Sequence, residues 1–184
     1  EILRRGDQTV AWRGDSWPPE CLVVSEDDGR PFEAEALTAE RRRPLAVVRP
    51  RSADETSKVR AYLHQEGVKV VPRGAGTSLS GGAIPQEDAV VIGVSKMSKI
   101  LEVDYADRIA RVQAGVTNLG ISNEVAADGF FYAPDPSSQL ACTIAGNIGM
   151  NSGGAHCLKY GVTTNNVLGV KMVLVDGTIV DIGG

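Results

Sequence analysis

The sequence predicts an α+β fold, on three observations. Leu45 to Val48, a helix opened by Ser52-Ala-Asp-Glu55, and Val68 to Val71 make a strand, helix, strand unit whose strands should run parallel with a right-handed crossover. Later apolar runs come in pairs around tight turns, the pattern of antiparallel hairpins. Two further segments are so rich in glycine and other small residues that they suit ligand-facing loops.

Residues 1–43 carry the least pattern. Glu1 to Arg30 mixes charges with Trp12, Trp17, Pro18 and Pro19 and holds no sustained period, so a mostly irregular lead-in packed on the domain is expected, with a short helix from Glu33 to Arg42. Asp15 stands alone and Glu26-Asp27-Asp28 are consecutive, which lacks the alternating acidic spacing of a calcium loop. From Pro44 the signal sharpens. Leu45 to Val48 is an apolar strand ended by Arg49-Pro50, and Ser52 to Glu55 is a capping box. In the helix that follows, Val59 and Leu63 share one face at i, i+4, and Gly67 stands where a glycine stops a helix. Val68, Val70 and Val71 make the next strand, which stops at Pro72, and Ala89 to Val94 make another. Ile100 to Val103 and Ile109 to Val112 flank a turn at Tyr105-Ala-Asp107. Thr117 can cap a helix from Asn118 to Ala127 that Gly129 closes, and Phe130 to Tyr132 reads as a short aromatic strand. Val167 to Val175 and Thr178 to Ile182 are joined by Asp176-Gly177, a strong hairpin signal.

The first glycine-rich segment, Pro72 to Gly82, is delivered by a strand. Gly74, Gly76, Gly81 and Gly82 lack a Cβ, so successive N–H groups can turn toward one point and form an anion cradle, with Thr77, Ser78 and Ser80 hydroxyls nearby. The segment is not a P-loop, because the residues after Gly81 are Gly82 and Ala83 rather than Lys and Ser or Thr. It is not a Rossmann fingerprint either: after Gly74 and Gly76 the third position is Leu79, and the chain reaches a strand by Ala89 with no room for a helix. Its amides alone must bind the anion, and a glycine-rich surface turn is the competing explanation.

The second segment runs from Ala133 to Gly161 and is nearly free of large side chains between Thr143 and Gly154. Backbone can approach a flat ligand or another backbone closely there; Asn147, Asn151 and Ser152 can bond a polar edge, and Pro134 and Pro136 stiffen the entry. One such segment is explained by tight helix–sheet packing. Two in one small domain are better explained by a long ligand lying between them.

Composition narrows the function. With 42% hydrophobic and 23% charged residues the chain is of soluble globular type, and 184 residues suffice for one domain or two small units sharing a core. A net charge of −4 and a pI near 5.2 argue against a nucleic-acid partner. Arg41-Arg42-Arg43, bounded by Glu40 and Pro44, reads as a solvated loop. No apolar run approaches the roughly 20 residues that span a bilayer, so no direct membrane insertion is expected. Cys21, Cys142 and Cys157 form no CxxC pair and suit reduced thiols in a cytoplasmic setting. His156 and Cys157 are adjacent with no further ligand near them, so no metal site is expected, and His64 reads as a surface residue. The chain starts without Met and stops at Gly184 within what reads as a sheet, as a fragment or processed form would.

Together, PRGAGTSLSGG at Pro72 to Gly82, PDPSS at Pro134 to Ser138, TIAGNIGMNSGG at Thr143 to Gly154 and YGVTTNNVLG at Tyr160 to Gly169 resemble the FAD-binding domain of the vanillyl-alcohol oxidase and p-cresol methylhydroxylase flavoproteins. Within it the chain is most similar to the glycolate oxidase FAD-linked subunits and their D-lactate and D-2-hydroxyglutarate dehydrogenase relatives. The resemblance runs from about Leu37 to the end.

That resemblance implies a lead-in (1–43), a small parallel α/β subdomain (44–103) and a second subdomain built on a mixed sheet (104–184) that is incomplete at its C-terminus, with FAD between the two. Carried over by motif, Pro72, Arg73, Gly74, Ala75, Gly76, Thr77 and Ser78 would hold the diphosphate through their backbone. Ser137, Ser138, Thr143, Gly146 and Asn147 would line the flavin side, and Met150, Asn151, Ser152 and Gly153 would contact the ribityl or diphosphate region. Relatives that attach FAD through a loop histidine differ here at Thr77, and Cys142 stands one residue off another attachment point, so a non-covalent cofactor is implied. His156 is taken as structural or near the flavin rather than catalytic. The implied activity is oxidation of a 2-hydroxy acid, glycolate first, with D-lactate or D-2-hydroxyglutarate as alternatives. Further oxidase subunits and an electron acceptor would be partners, and membrane association would run through them. Catalytic residues, including metal-ligand histidines of the nearest relatives, are expected beyond Gly184, so no residue here is assigned that role and these 184 residues alone are expected to retain FAD weakly or not at all. A non-catalytic binding module or subunit interface on the same fold is the alternative of another class. Gly76→Val is expected to abolish flavin retention with little effect on folding.

Overall fold

The computed structural model describes residues 2–5, 8–11, 21–23, 29–36 and 40–184. Its organising layer is a four-stranded sheet of order β3-β4-β6-β5, made of β3 (Leu22–Val23), β4 (Ala46–Val48), β5 (Lys69–Arg73) and β6 (Ala89–Gly93). The strands of the expected strand, helix, strand unit do run parallel, but each pairs with β6, which lies between them. β3 joins the other side of β4 antiparallel.

Period-2 alternation sends the β residues to two faces. Ala46, Val48, Val90 and Ile92 pack with Val59 and Leu63 of α1 (Ala53–Gln65), while Val47 and Val91 pack with Val71 and Phe32 on the opposite face. Val59 and Leu63 are 1% and 0% exposed, and burying each contributes about 1.5–3 kcal/mol. The start of α1 is half of a capping box. Ser52 Oγ accepts from Glu55 N at 3.1 Å, but the Glu55 carboxylate accepts from the amide of Arg51, at 2.7 Å, rather than from that of Ser52. Gly67 takes φ +65 and ends the helix as expected.

Pro72 does not stop β5, which runs on to Arg73. A proline that lacks an N–H is tolerated because β5 is the edge strand of this sheet.

The antiparallel half consists of hairpins. β7 (Ile100–Asp104) pairs with β8 (Ile109–Val112), and β9 (Gly169–Val173) with β10 (Ile179–Gly183). Gly177 at the second turn takes φ +91, and its carbonyl accepts from Ser57 Oγ at 2.5 Å, which fastens this hairpin to α1. Between the hairpins lie α2 (Asn118–Val125), α3 (Ile144–Met150) and α4 (Cys157–Tyr160). Thr117 and Thr143 face each other in a β-bridge and cap α2 and α3 by accepting from Gly120 N and Gly146 N. Val116, Ile121 and Ile144 form the core of this half.

Three further expectations fail. Phe130 to Tyr132 is not a strand: Phe130 N donates to Val125 O and Tyr132 N to Ser122 Oγ, so the end of α2 satisfies this backbone without a sheet partner. Of Glu33 to Arg42, residues 33–36 and 40–42 are not helical, and residues 37–39 lie outside the described set; a 3-10 turn stands just before them, at Arg30–Phe32. The lead-in is also less irregular than expected, because β1 (Ile2–Arg5) and β2 (Gln8–Ala11) pair antiparallel. Trp12, Asp15, Trp17 to Pro19 and Glu26 to Asp28 lie outside the described residues.

Candidate functional site

The first glycine-rich segment leaves the carboxyl end of β5 and reaches β6 without forming a helix. It has two halves of different character. No amide from Gly74 to Leu79 donates to an acceptor among the described residues. Those are consecutive donors on a chain whose side chains are small, which is what an anion cradle requires. Two amides of the far half are already bonded. Gly81 N and Ala83 N both donate to the carboxylate of Glu35, the latter at 3.3 Å.

Arg73 sits at the neck of the segment and faces inward. Its position on β5 puts it on the same face as Val71, toward Phe32, and it is 6% exposed. Its guanidinium donates to the carbonyls of Pro31 (3.0 Å), Ala34 (2.7 Å) and Ala83 (3.1 Å) and stands 5.6 Å from the Phe32 ring centre. Burial pushes its pKa below the ordinary arginine value, and the charge of Glu35 opposes that shift. The Arg73 cation is thus spent on the protein's own carbonyls. Pro72 has no N–H to offer, so free donors begin at Gly74. Gly76 takes φ +74, and a Cβ there would strike the Arg73 guanidinium.

The two small-residue segments meet. A Cβ on Gly74 would collide with Thr143 Oγ1, and Gly146 Cα lies 3.7 Å from the same point. Farther along, Ser78 Oγ is 3.9 Å from Met150 Sδ. The first segment therefore lies along α3, from its capping threonine to its last turn. In the second segment the amides of Ser137, Ser138 and Gly153 also donate to no acceptor among the described residues.

The remaining residues singled out by motif divide by burial. Ala75, Ser137, Met150 and Asn151 are exposed, and Thr77, Ser138 and Ser152 half-buried. Asn147 is 2% exposed, and its Oδ1 accepts from Asn118 Nδ2 at 3.2 Å and lies 3.6 Å from Cys142 Sγ. Asn151, at φ +47, ends α3, and its Oδ1 accepts from the amide and hydroxyl of Thr164. Ser152 O accepts from the amide and hydroxyl of Thr163. Cys142 is buried at 3% exposure. His156 Nδ1 lies 2.6 Å from Asp135 Oδ2, and the imidazole holds the Asp135 carboxyl below its ordinary value, helped by the His156 amide. No cluster of three metal-ligating side chains occurs among the described residues. His64 is exposed, as expected.

Residues 44–183 match the family described as FAD binding domain. The chain belongs to that family. It is 47% identical to glycolate oxidase subunit GlcD of Escherichia coli (strain K12) over 162 residues, 88% of this chain and 32% of that protein. It is 39% identical to D-lactate dehydrogenase of Archaeoglobus fulgidus over 140 residues, 76% of this chain and 31% of that protein. The chain thus spans about a third of the length of these curated relatives. Among solved structures, alkyldihydroxyacetonephosphate synthase superposes with a TM-score of 0.81 at 21% identity, over 92% of this chain and 33% of that one, which shows a shared fold. The family's cofactor suits the run of unbonded amides.

Glu35 and Asn118 carry much of this arrangement, and neither is marked in the sequence. Glu35 lies in an acidic, patternless stretch, 46 residues from Gly81, and Asn118 looks like any first residue of a helix.

Proposed function

We propose that this chain binds FAD non-covalently and forms the FAD-binding part of a flavin-dependent 2-hydroxy acid dehydrogenase or oxidase, with glycolate as first candidate substrate. The observation that carries the binding half is the run of unbonded amides from Gly74 to Leu79 lying against α3. A diphosphate carries about two negative charges at neutral pH, and oriented amides supply the opposing field without a lysine. Gly74 and Gly76 keep this run close to the rest of the site, since a Cβ at either would strike Thr143 or Arg73 of the chain itself.

In this proposal FAD lies between a first subdomain, 44–103, and a second, 104–184. The amides of Gly74, Ala75, Gly76, Thr77 and Ser78 hold the diphosphate, with Pro72 and Arg73 shaping the neck of the loop. Ser137, Ser138, Thr143, Gly146 and Asn147 line the flavin side, and Met150, Asn151, Ser152 and Gly153 the ribityl region. The buried Asn118–Asn147 bond fixes the start of α2 against α3, so this wall is rigid before ligand arrives. When bound, FAD supplies a hydride acceptor for oxidation of an alcohol carbon. Thr77 in place of a nucleophile and a buried Cys142 support non-covalent attachment.

The identity to a glycolate oxidase subunit supports glycolate, and that to a D-lactate dehydrogenase keeps D-lactate as the second substrate. Further subunits and an electron acceptor are proposed partners, and a cytoplasmic location is proposed with any membrane contact made through them; no helix of the described residues is long and apolar enough to cross a membrane. The test is anaerobic reduction of the intact, flavin-loaded protein. Bleaching of the flavin band by glycolate supports the assignment, bleaching by D-lactate alone shifts it to the second substrate, and flavin that neither reduces points to a binding module.

A further inference from the structure

The glycine-rich loop binds an anion of its own. The Glu35 carboxylate is 4% exposed, a burial that costs several kcal/mol unless it is well bonded. It accepts from the amides of Gly81 and Ala83, and its charge acts on the buried Arg73 guanidinium. Arg73 grips the same stretch from the other side, donating to the carbonyl of Ala83. Ala83 is therefore held at both its N–H and its C=O, and the loop is pinched shut where it ends. At its middle, the carbonyl of Gly76 accepts from Ala36 N at 2.9 Å. Every one of these contacts comes from the stretch 31–36 or from Arg73.

We propose that Glu35 is a positioning residue for the cofactor loop: an internal anion that takes the amides of Gly81 and Ala83, so that the amides of 74–79 stay open to the diphosphate. This rests on the FAD assignment of the first half. A loop this rich in glycine has many conformations with similar energies, and fixing it costs about 1–2 kcal/mol per residue in backbone entropy. Glu35 meets that cost before ligand binds. A lone carboxylate near a diphosphate would repel it, and Arg73 cancels that charge while making no use of the open amides. The pair shapes the loop with little net field.

The experiment compares parent, Glu35→Gln and Glu35→Ala in the intact protein by two readouts: FAD affinity from quenching of flavin fluorescence, and hydrogen exchange of peptides covering residues 74–83 without ligand. Glutamine keeps the shape but turns an NH2 toward one of the two amides or toward Arg73. We expect faster exchange at 81–83 and an FAD Kd raised about tenfold in Glu35→Gln, and more in Glu35→Ala. Acetate should restore part of the affinity and protection in Glu35→Ala by refilling the space between the amides and Arg73, whereas chloride at equal ionic strength should not. A loss caused only by missing packing would not respond to acetate. If Glu35→Ala does not fold, Glu35→Gln decides alone. A variant equal to the parent in both readouts overturns the role of Glu35, as does an Ala variant that folds, loses FAD and ignores acetate. A parent that binds no FAD overturns the cofactor assignment instead, and the exchange contrast still reports whether Glu35 holds the loop.

Discussion

Gly74→Ala tests the seam between the two small-residue segments. Gly74 is not in the left-handed region, so alanine brings no backbone strain and restricts the unfolded chain, a gain of about 0.4–1 kcal/mol. Against that, its Cβ would overlap Thr143 Oγ1, the oxygen that caps α3. Overpacking of this kind costs about 1–3 kcal/mol and a lost cap about 1 kcal/mol more. The net is about 2–3 kcal/mol, which in a chain of this length lowers Tm by roughly 5–10 °C. Thr143→Ala alone should cost about 1 kcal/mol. Thr143 Cβ lies 3.6 Å from the Gly74 Cβ position, an ordinary contact, so removing the hydroxyl removes the clash. The double variant should then be no less stable than Thr143→Ala, leaving a coupling of about 2 kcal/mol in urea unfolding. Additivity within about 0.5 kcal/mol would show that the segments do not touch.

Gly76→Val should lose flavin and also stability, by about 3 kcal/mol or more, because a β-branched residue is strained at φ +74 and its Cβ would displace the Arg73 guanidinium; this revises the expectation that folding would be spared, and a thermal melt within a degree or two of the parent would contradict it. Ser52→Ala should lower stability by about 1 kcal/mol through loss of the 3.1 Å cap bond at α1, read from urea unfolding. Glu55 carries a pH signature. Burial raises its pKa, but the amide, guanidinium and charge of Arg51, with Lys58, outweigh that and hold it below its ordinary 4.5. A carboxylate lowered in the folded state stabilises fully above its unfolded value and loses that contribution as pH falls through the folded one. The difference in Tm between parent and Glu55→Gln should therefore be present at neutral pH and vanish as the pH is taken well below 4.5; a difference that persists unchanged into acid would contradict this.

What was legible in the sequence is what local chemistry decides. Valine alternation, Thr117 and Ser52 as caps, Gly67 and Gly129 as terminators and Asp176-Gly177 as a turn each act within a few residues, and each stands where expected. Errors arose where a distant or unexpected partner competes. Phe130 to Tyr132 has strand composition, yet Ser122 and Val125 satisfy its backbone. Pro72 ends a strand by rule but not at an open edge. At the site, glycine spacing marked the cradle. It could not show which amides are free, since that depends on Glu35, more than forty residues upstream.

The central claim is that the amides of 74–79 hold the diphosphate and those of 81–83 do not. Hydrogen exchange of the intact protein, compared with and without saturating FAD, addresses it residue stretch by residue stretch. Slowed exchange at 74–79 and 137–153, with Gly81 and Ala83 already slow in the ligand-free protein, is the expected result. FAD that binds while exchange at 74–79 stays unchanged would contradict it.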